Sequence, residues 1–450
     1  MKREIVNHLI KWKNSNERKP LIMRGARQIG KTTSVRQLGE TFSNFVELNF
    51  EQQLALHSIF ANDLDPKKII IDLQVLIQQK ITPGETLLFL DEVQTCPRAL
   101  LALRYFYEFM PELHVIAAGS LLEFCIEQVG LPVGRVQFLY AYPMTFKEFL
   151  WALDETFLVD AILNHDCSKP FQVAIHEKAL RLFGEYIAIG GMPEAVRMWR
   201  DQKNYQLCQD VHHDLIAAYK QDFEKYAKKS QIKYVEHVFE QVPLQLGEQL
   251  QFSKIAGDYR KRELFPALAL LEKANVVTRV QQTQGYGFPL SANADPHCFK
   301  MIMVDIALTQ TLLGLTSEQW ILNTENAFVN KGAIAEAFVG QELLAYHNAR
   351  QSSKLYYWRR NRQGSEAEID YLITQNKKIV PVEVKAGKGT TLKSMHLFLQ
   401  QHTQIPFGIR FSTQNFSVHE KIISYPLYAV MLAVSESSNE YIENDLERLG

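Results

Sequence analysis

Several features that would assign a chain to a class at once are missing here. No segment approaches the roughly 20 consecutive apolar residues that span a bilayer. The five cysteines, Cys96, Cys125, Cys167, Cys208 and Cys298, are odd in number, widely spaced and without a CxxC pair. That excludes a disulfide framework and a thiolate zinc site, and predicts buried thiols in a reducing compartment. Charge of one sign is lacking too: the formal net charge is −1, so nothing pulls the chain as a whole toward nucleic acid or anionic lipid. A basic face must be sought locally. There is no HExxH, and the adjacent His212 and His213 would point in different directions on a helix. The opening MKREIVNHLIKWKNSNERK is charged throughout and has no apolar signal-peptide stretch, so a cytoplasmic protein without a membrane partner is expected.

What is present is an ordinary globular composition, 46% hydrophobic and 22% charged over 450 residues, enough for two to four packed domains. The first third alternates apolar runs (LIMRG, FVELNF, TLLFLDE, HVIAAGS, GRVQFLYAY) with amphipathic stretches. That rhythm predicts a mostly parallel sheet covered by helices. From about Met144 to Lys228 long 3.6-period stretches take over, broken by GGMPEAV, and predict a helical lid. Three short helical patterns and ANVVTRVQQ then suit a winged-helix-like unit. CFKMIMVDIAL reads as the start of a separate α/β domain containing KLYYWRR, AEIDYLIT and KIVPVEVKA.

Gly25-Ala26-Arg27-Gln28-Ile29-Gly30-Lys31-Thr32 matches G-x-x-x-x-G-K-[ST] and lies between an apolar strand and a helix, with Thr33 beginning the next turn. Glycines there let backbone N–H groups converge on phosphate oxygens at a helix N-terminus. Lys31 would reach the β- and γ-phosphates of ATP, and Thr32 would ligate Mg²⁺. Leu87 to Leu90 form a buried-strand run ending in Asp91 and Glu92. Asp91 would hold Mg²⁺ and Glu92 would be the general base for water. Ser120, closing the apolar HVIAAGS, is a candidate γ-phosphate sensor, although a strand-ending serine serves equally as a turn or cap. Arg135 is a candidate arginine finger in the same or a neighbouring subunit, or a surface arginine.

RGARQIGKTT, LLFLDEVQ, IAAGSLLEF, GRVQFLYAYPMTFKEFL and IAIGGMPEAV together resemble the bacterial and archaeal family of AAA+ ATPases with a C-terminal nuclease-like domain. The resemblance implies an α/β P-loop AAA+ core at 1–155, a helical lid at 156–228, a winged-helix-like segment at 229–290 and a restriction-nuclease-like domain at 291–450. The first three parts are similar to origin-recognition ATPases. In the last part, Asp370 followed by Glu383-Val384-Lys385 looks like the PD-(D/E)xK pattern, with Glu336 on the preceding helix as a fourth member. Such residues would hold a second divalent cation that activates water. Ile369 stands where that pattern has proline.

Three functions follow as alternatives: an ATP-driven conformational switch, an ATP-regulated metal-dependent nuclease, or a non-catalytic ATP-binding scaffold. DNA, another protein and a second copy of the chain are the candidate partners. Arg260-Lys261-Arg262 would meet DNA phosphates. Lys354 to Arg362 reads as a nucleic-acid platform or, more simply, a core strand with a basic edge.

Overall fold

The computed structural model describes residues 1–130, 134–315, 331–362, 365–386 and 392–434. They form two compact units, one of Met1–Pro143 with Lys273–Asn275 and Asn348–Ser352, the other of Met144–Glu272, Val276–His347 and Ser353–Gly450.

In the first unit, β1 (Leu21–Arg24), β2 (Asn44–Asn49), β3 (Thr86–Asp91), β4 (His114–Ala118) and β5 (Gln137–Tyr140) make one sheet in the order β2-β3-β4-β1-β5. Every pairing is parallel, which requires a crossover between successive strands and explains the strand–helix rhythm of the sequence. Strands β3 and β4 are buried along their whole length, so their apolar runs do not alternate. The helix Pro97–Phe109 adds Leu100, Leu103 and Phe106 at helical spacing to the same core. Helix Pro66–Ile77 starts where Asp65 accepts from the Lys67 amide and proline takes the first turn. This is an α/β fold with a P-loop core.

The second unit begins with helices Phe146–Ala152, Thr156–Leu163, Val173–Ile189, Pro193–Gln202 and Tyr205–Tyr226, the helical character expected for 156–228. The GGMP break between two of them has a tertiary cause. Gly190 has φ +73°, and a Cβ there would lie 2.3 Å from Asp305 Oδ1. The Gly191 amide donates to Asp305 Oδ2 at 2.7 Å, while the same carboxylate caps the helix Ile306–Leu312.

Helices Ile232–Gln241 and Lys261–Lys273 follow, then β6 (Val277–Thr283), β7 (Ala294–Met303), β8 (Leu355–Arg362), β9 (Ser365–Gln375), β10 (Lys378–Lys385), β11 (Gly408–Ser412), β12 (Ser417–His419) and β13 (Ile422–Pro426). These eight strands form a single sheet in the order β12-β13-β11-β10-β9-β8-β6-β7. The ladder crosses the boundary expected at 290/291. The partner of β6 is the segment read as the start of the next domain, and β6 also pairs in parallel with β8. Strand β8 is core rather than platform at its aromatic positions, with Tyr357 0% and Trp358 4% exposed.

Candidate functional site

Strand β1 lies between β4 and β5, and its carboxyl end runs directly into the glycine loop. Gly25 has φ +136°, and a Cβ there would sit 2.3 Å from the Ala141 carbonyl oxygen and 2.6 Å from Ile29 Cδ1. Gly30 has φ 90° and caps the helix Lys31–Gly39 in the left-handed region. The loop is pinned from outside the motif by Arg3, a buried residue whose guanidinium donates to the Ile29 and Tyr142 carbonyls, both at 2.8 Å. Ala26 and Ile29 are buried, Gln28 and Thr33 exposed, and Arg27 and Thr32 half-buried. Replacing Gly25 with alanine is expected to destabilise the chain by about 1–3 kcal/mol and to remove nucleotide binding. Thermal unfolding and titration with a fluorescent ATP analogue check this; normal binding by Gly25→Ala would show that the loop tolerates the clash.

Lys31 is buried and donates from Nζ to the Gly25 and Ala26 carbonyls at 3.0 and 2.6 Å. Burial pushes its pKa down to about 8, against the attraction of Glu92 and Asp91. Thr32 Oγ1 donates to Asp91, 3.1 Å from Oδ2 and 3.3 Å from Oδ1. Burial, reinforced by the charge of Glu92, pushes Asp91 up to about 6. A hydroxyl and a desolvated carboxylate side by side are hard oxygen donors of the kind Mg²⁺ takes, and a cation there would relieve the cost of ionising Asp91. The residues therefore fit the metal.

Glu92 turns off the strand with φ 50°, and its Oε2 accepts from Gln94 Nε2 at 2.6 Å. Gln94 Oε1 is buried without a hydrogen bond and lies where a Cβ on Gly119 would be only 2.0 Å away. Gln94 thus spans the carboxyl ends of β3 and β4. Ser120, two residues past β4, is half-buried beside this contact. Arg135 is not brought to the loop. It precedes β5, at the edge where the parallel strands begin, and its Nε pairs with Glu108 Oε1 at 3.1 Å. Arg3 and Gln94 escaped sequence reading, although Gln94 sits two residues beyond Glu92 in the motif run.

The expected second metal site takes another form. Glu368 and Asp370 lie on β9, Glu336 on helix Lys331–Tyr346, and Glu383 and Lys385 on β10. Glu336 and Asp370 do share one charge cluster, but its cation is Lys300 of β7, which no motif flagged. Lys300 Nζ is 2.8 Å from Glu336 Oε1 and also pairs with Glu368. Glu383 Oε1 pairs with Lys385 at 2.8 Å, both within reach of the Asp370 charge, and Asp370 Oδ2 accepts from the Val384 amide at 2.7 Å. Burial pushes Glu336 up to about 8 and Asp370 up to about 6. Against its own desolvation, Lys300 is held above its ordinary value by Glu336, Asp370 and Glu368. Among the described residues, no three His, Cys, Asp or Glu side chains are grouped so as to hold a metal ion.

Residues 17–150 match the family described as an AAA domain. Residues 180–319 and 331–429 match two families described only as domains of unknown function, DUF8612 and DUF4143. No curated protein matches the chain. Among solved structures, a Walker-type ATPase of Pyrococcus abyssi is 14% identical, over 69% of this chain and 95% of that one, with a TM-score of 0.44. The ORC2 protein of Aeropyrum pernix, in ADPNP and ADP complexes, is 13% identical over 75% of this chain and 92% of that one, with a TM-score of 0.33. A signal-transduction ATPase with numerous domains from Pyrococcus horikoshii is 11% identical, covers 76% and 44% respectively, and has a TM-score of 0.28. The match described as an AAA domain spans both nucleotide motifs, the glycine loop and the Asp91-Glu92 strand end.

Proposed function

We propose that the chain is a Mg²⁺-dependent ATPase whose nucleotide state works as a conformational switch in the cytoplasm. The observation that carries this reading is the 3.1 Å contact between Thr32 and Asp91, which joins the phosphate loop to the end of β3 beside a buried lysine. On binding ATP, Lys31 exchanges the Gly25 and Ala26 carbonyls for β- and γ-phosphate oxygens. Thr32 and Asp91 are the residues that would hold Mg²⁺, which supplies neutralisation of phosphate charge when bound. Glu92 accepts a proton from the attacking water as its oxygen bonds to the γ-phosphorus and the bond to the ADP oxygen breaks. Gln94 keeps the Glu92 carboxylate oriented, and Ser120 is the sensor. Among the described residues no helix is long and apolar enough to cross a membrane.

DNA and a second copy of the chain are the partners this reading carries forward. Arg260, Lys261 and Arg262 stand exposed at the start of helix Lys261–Lys273, and Arg135 is exposed enough to serve a neighbouring subunit. The test of the ATPase reading is phosphate release measured against Mg²⁺ concentration. Asp91→Asn is expected to raise the Mg²⁺ needed for half-maximal turnover by roughly tenfold or more, the scale set by losing one charged oxygen donor. An unaltered Mg²⁺ profile would remove Asp91 from the metal and sink the assignment.

A further inference from the structure

Lys300 is the one charged residue in the run Cys298–Met303, and it is 2% exposed. A buried ammonium is retained only where anions and hydrogen-bond acceptors replace its water. Here they come from separate elements: Glu336 from helix Lys331–Tyr346, Glu368 and Asp370 from β9. Strands β6 and β8 lie between β7 and β9 in the sheet order, and Nζ stands 5.2 Å from the centre of the Tyr357 ring of β8. We infer that this cluster carries its cation within the chain: the Lys300 ammonium stands among Glu336, Glu368 and Asp370 where a divalent metal would stand. The ammonium thereby takes the position between Glu336 and Glu368 that a metal would take, and the cluster is not a centre for metal-activated cleavage of phosphodiesters.

Two further features support this. Access is not what keeps a metal away. Glu368, with a side chain 30% exposed, lines a polar cavity of about 530 Å³ together with Lys254, Arg359 and Ser394, so the cluster meets solvent through Glu368. The tethered ammonium instead occupies the oxygens of Glu336 and Glu368 that a metal would need, and a second cation beside it would be repelled. The other acid of the expected set, Glu383, meets Lys385 through Oε1, while its Oε2 is buried without a hydrogen bond.

Mn²⁺ binding to the full chain without nucleotide, followed by electron paramagnetic resonance, tests the inference. Any ion taken up at Thr32 and Asp91 is common to all the proteins compared and cancels. The parent and Asp370→Asn are expected to bind Mn²⁺ alike. Lys300→Met is expected to gain one Mn²⁺ with at least tenfold tighter binding than the parent shows beyond its nucleotide site, and the Lys300→Met/Asp370→Asn double variant to lose it. A parent that binds Mn²⁺ through Asp370, or a folded Lys300→Met that gains no ion, would overturn the inference. Should Lys300→Met fail to fold, the parent and Asp370→Asn comparison decides: equal binding upholds the internal cation, and Asp370-dependent binding refutes it.

Discussion

Changing Glu92 to glutamine is expected to slow ATP turnover by about 10²–10⁴-fold, the usual worth of a positioned general base, while ATP still binds. The substitution preserves shape. The Glu92 backbone keeps its left-handed turn after β3, and the new amide oxygen can accept the Gln94 Nε2 bond that now reaches Glu92 at 2.6 Å. What is lost is the capacity to take a proton, together with a negative charge that helps keep Lys31 protonated. Affinity rests mainly on the loop amides and Lys31, which stay in place, and ATP phosphates supply negative charge beside Lys31 when bound. Gln94→Ala makes the informative contrast, because it leaves the base in place and removes what orients it. Its loss is expected to be smaller and to fall on kcat rather than KM. Steady-state phosphate release, paired with equilibrium binding of a labelled ATP analogue, separates the two. Undiminished hydrolysis by Glu92→Gln would take Glu92 out of the base role.

The parts of this site that were legible in the sequence are those specified by local backbone demands. Gly25 and Gly30 are fixed by positive φ, and Asp91 and Glu92 by emerging from a strand too apolar to lie anywhere but the sheet's interior. Arg3 and Gln94 are not legible in that way. Arg3 acts on carbonyls at Ile29 and Tyr142, and Gln94 matters because β4 brings Gly119 against it. The parallel sheet was readable because each strand–helix unit is local in sequence. The eight-stranded sheet was not, because β6 finds β8 across helix Lys331–Tyr346, and nothing within either strand announces that pairing.

Lys300 shows how a sound local rule misleads. Strand β7 ends the sheet order, and a lysine on an edge strand is ordinarily a solvated guard against further pairing. Tertiary structure overrides this. A backbone bridge from Gln249 to Lys300 covers the edge, and the carboxylates of the second unit close around the side chain. The spacing of Asp370, Glu383 and Lys385 suits the two strands of a hairpin, but spacing holds no information about a cation arriving from another strand.

Glu342 is the second place where a large effect is expected, this time on stability. It lies fully buried on helix Lys331–Tyr346 and accepts from the Phe146 amide at 2.9 Å, at the start of helix Phe146–Ala152. Burial pushes its pKa up to about 8, although the Phe146 hydrogen bond pulls it back. A folded-state pKa above the unfolded value means that the folded chain holds this proton more tightly. The stability this provides is complete below about pH 4.5 and is lost progressively as pH rises to about 8, a change on the order of 5 kcal/mol. Glutamine keeps the acceptor for Phe146 but cannot ionise, so its contribution does not vary with pH. Its NH₂ takes the place of a carboxyl oxygen in a buried site where Tyr346 donates to Glu342, and the rearranged hydrogen bonding costs about 1–3 kcal/mol at every pH. The two terms predict a crossover: Glu342→Gln less stable than the parent near pH 5 and more stable near pH 8.5. Urea unfolding at the two pH values reads this directly, and curves that keep the same order at both would show that Glu342 does not carry a buried charge on folding.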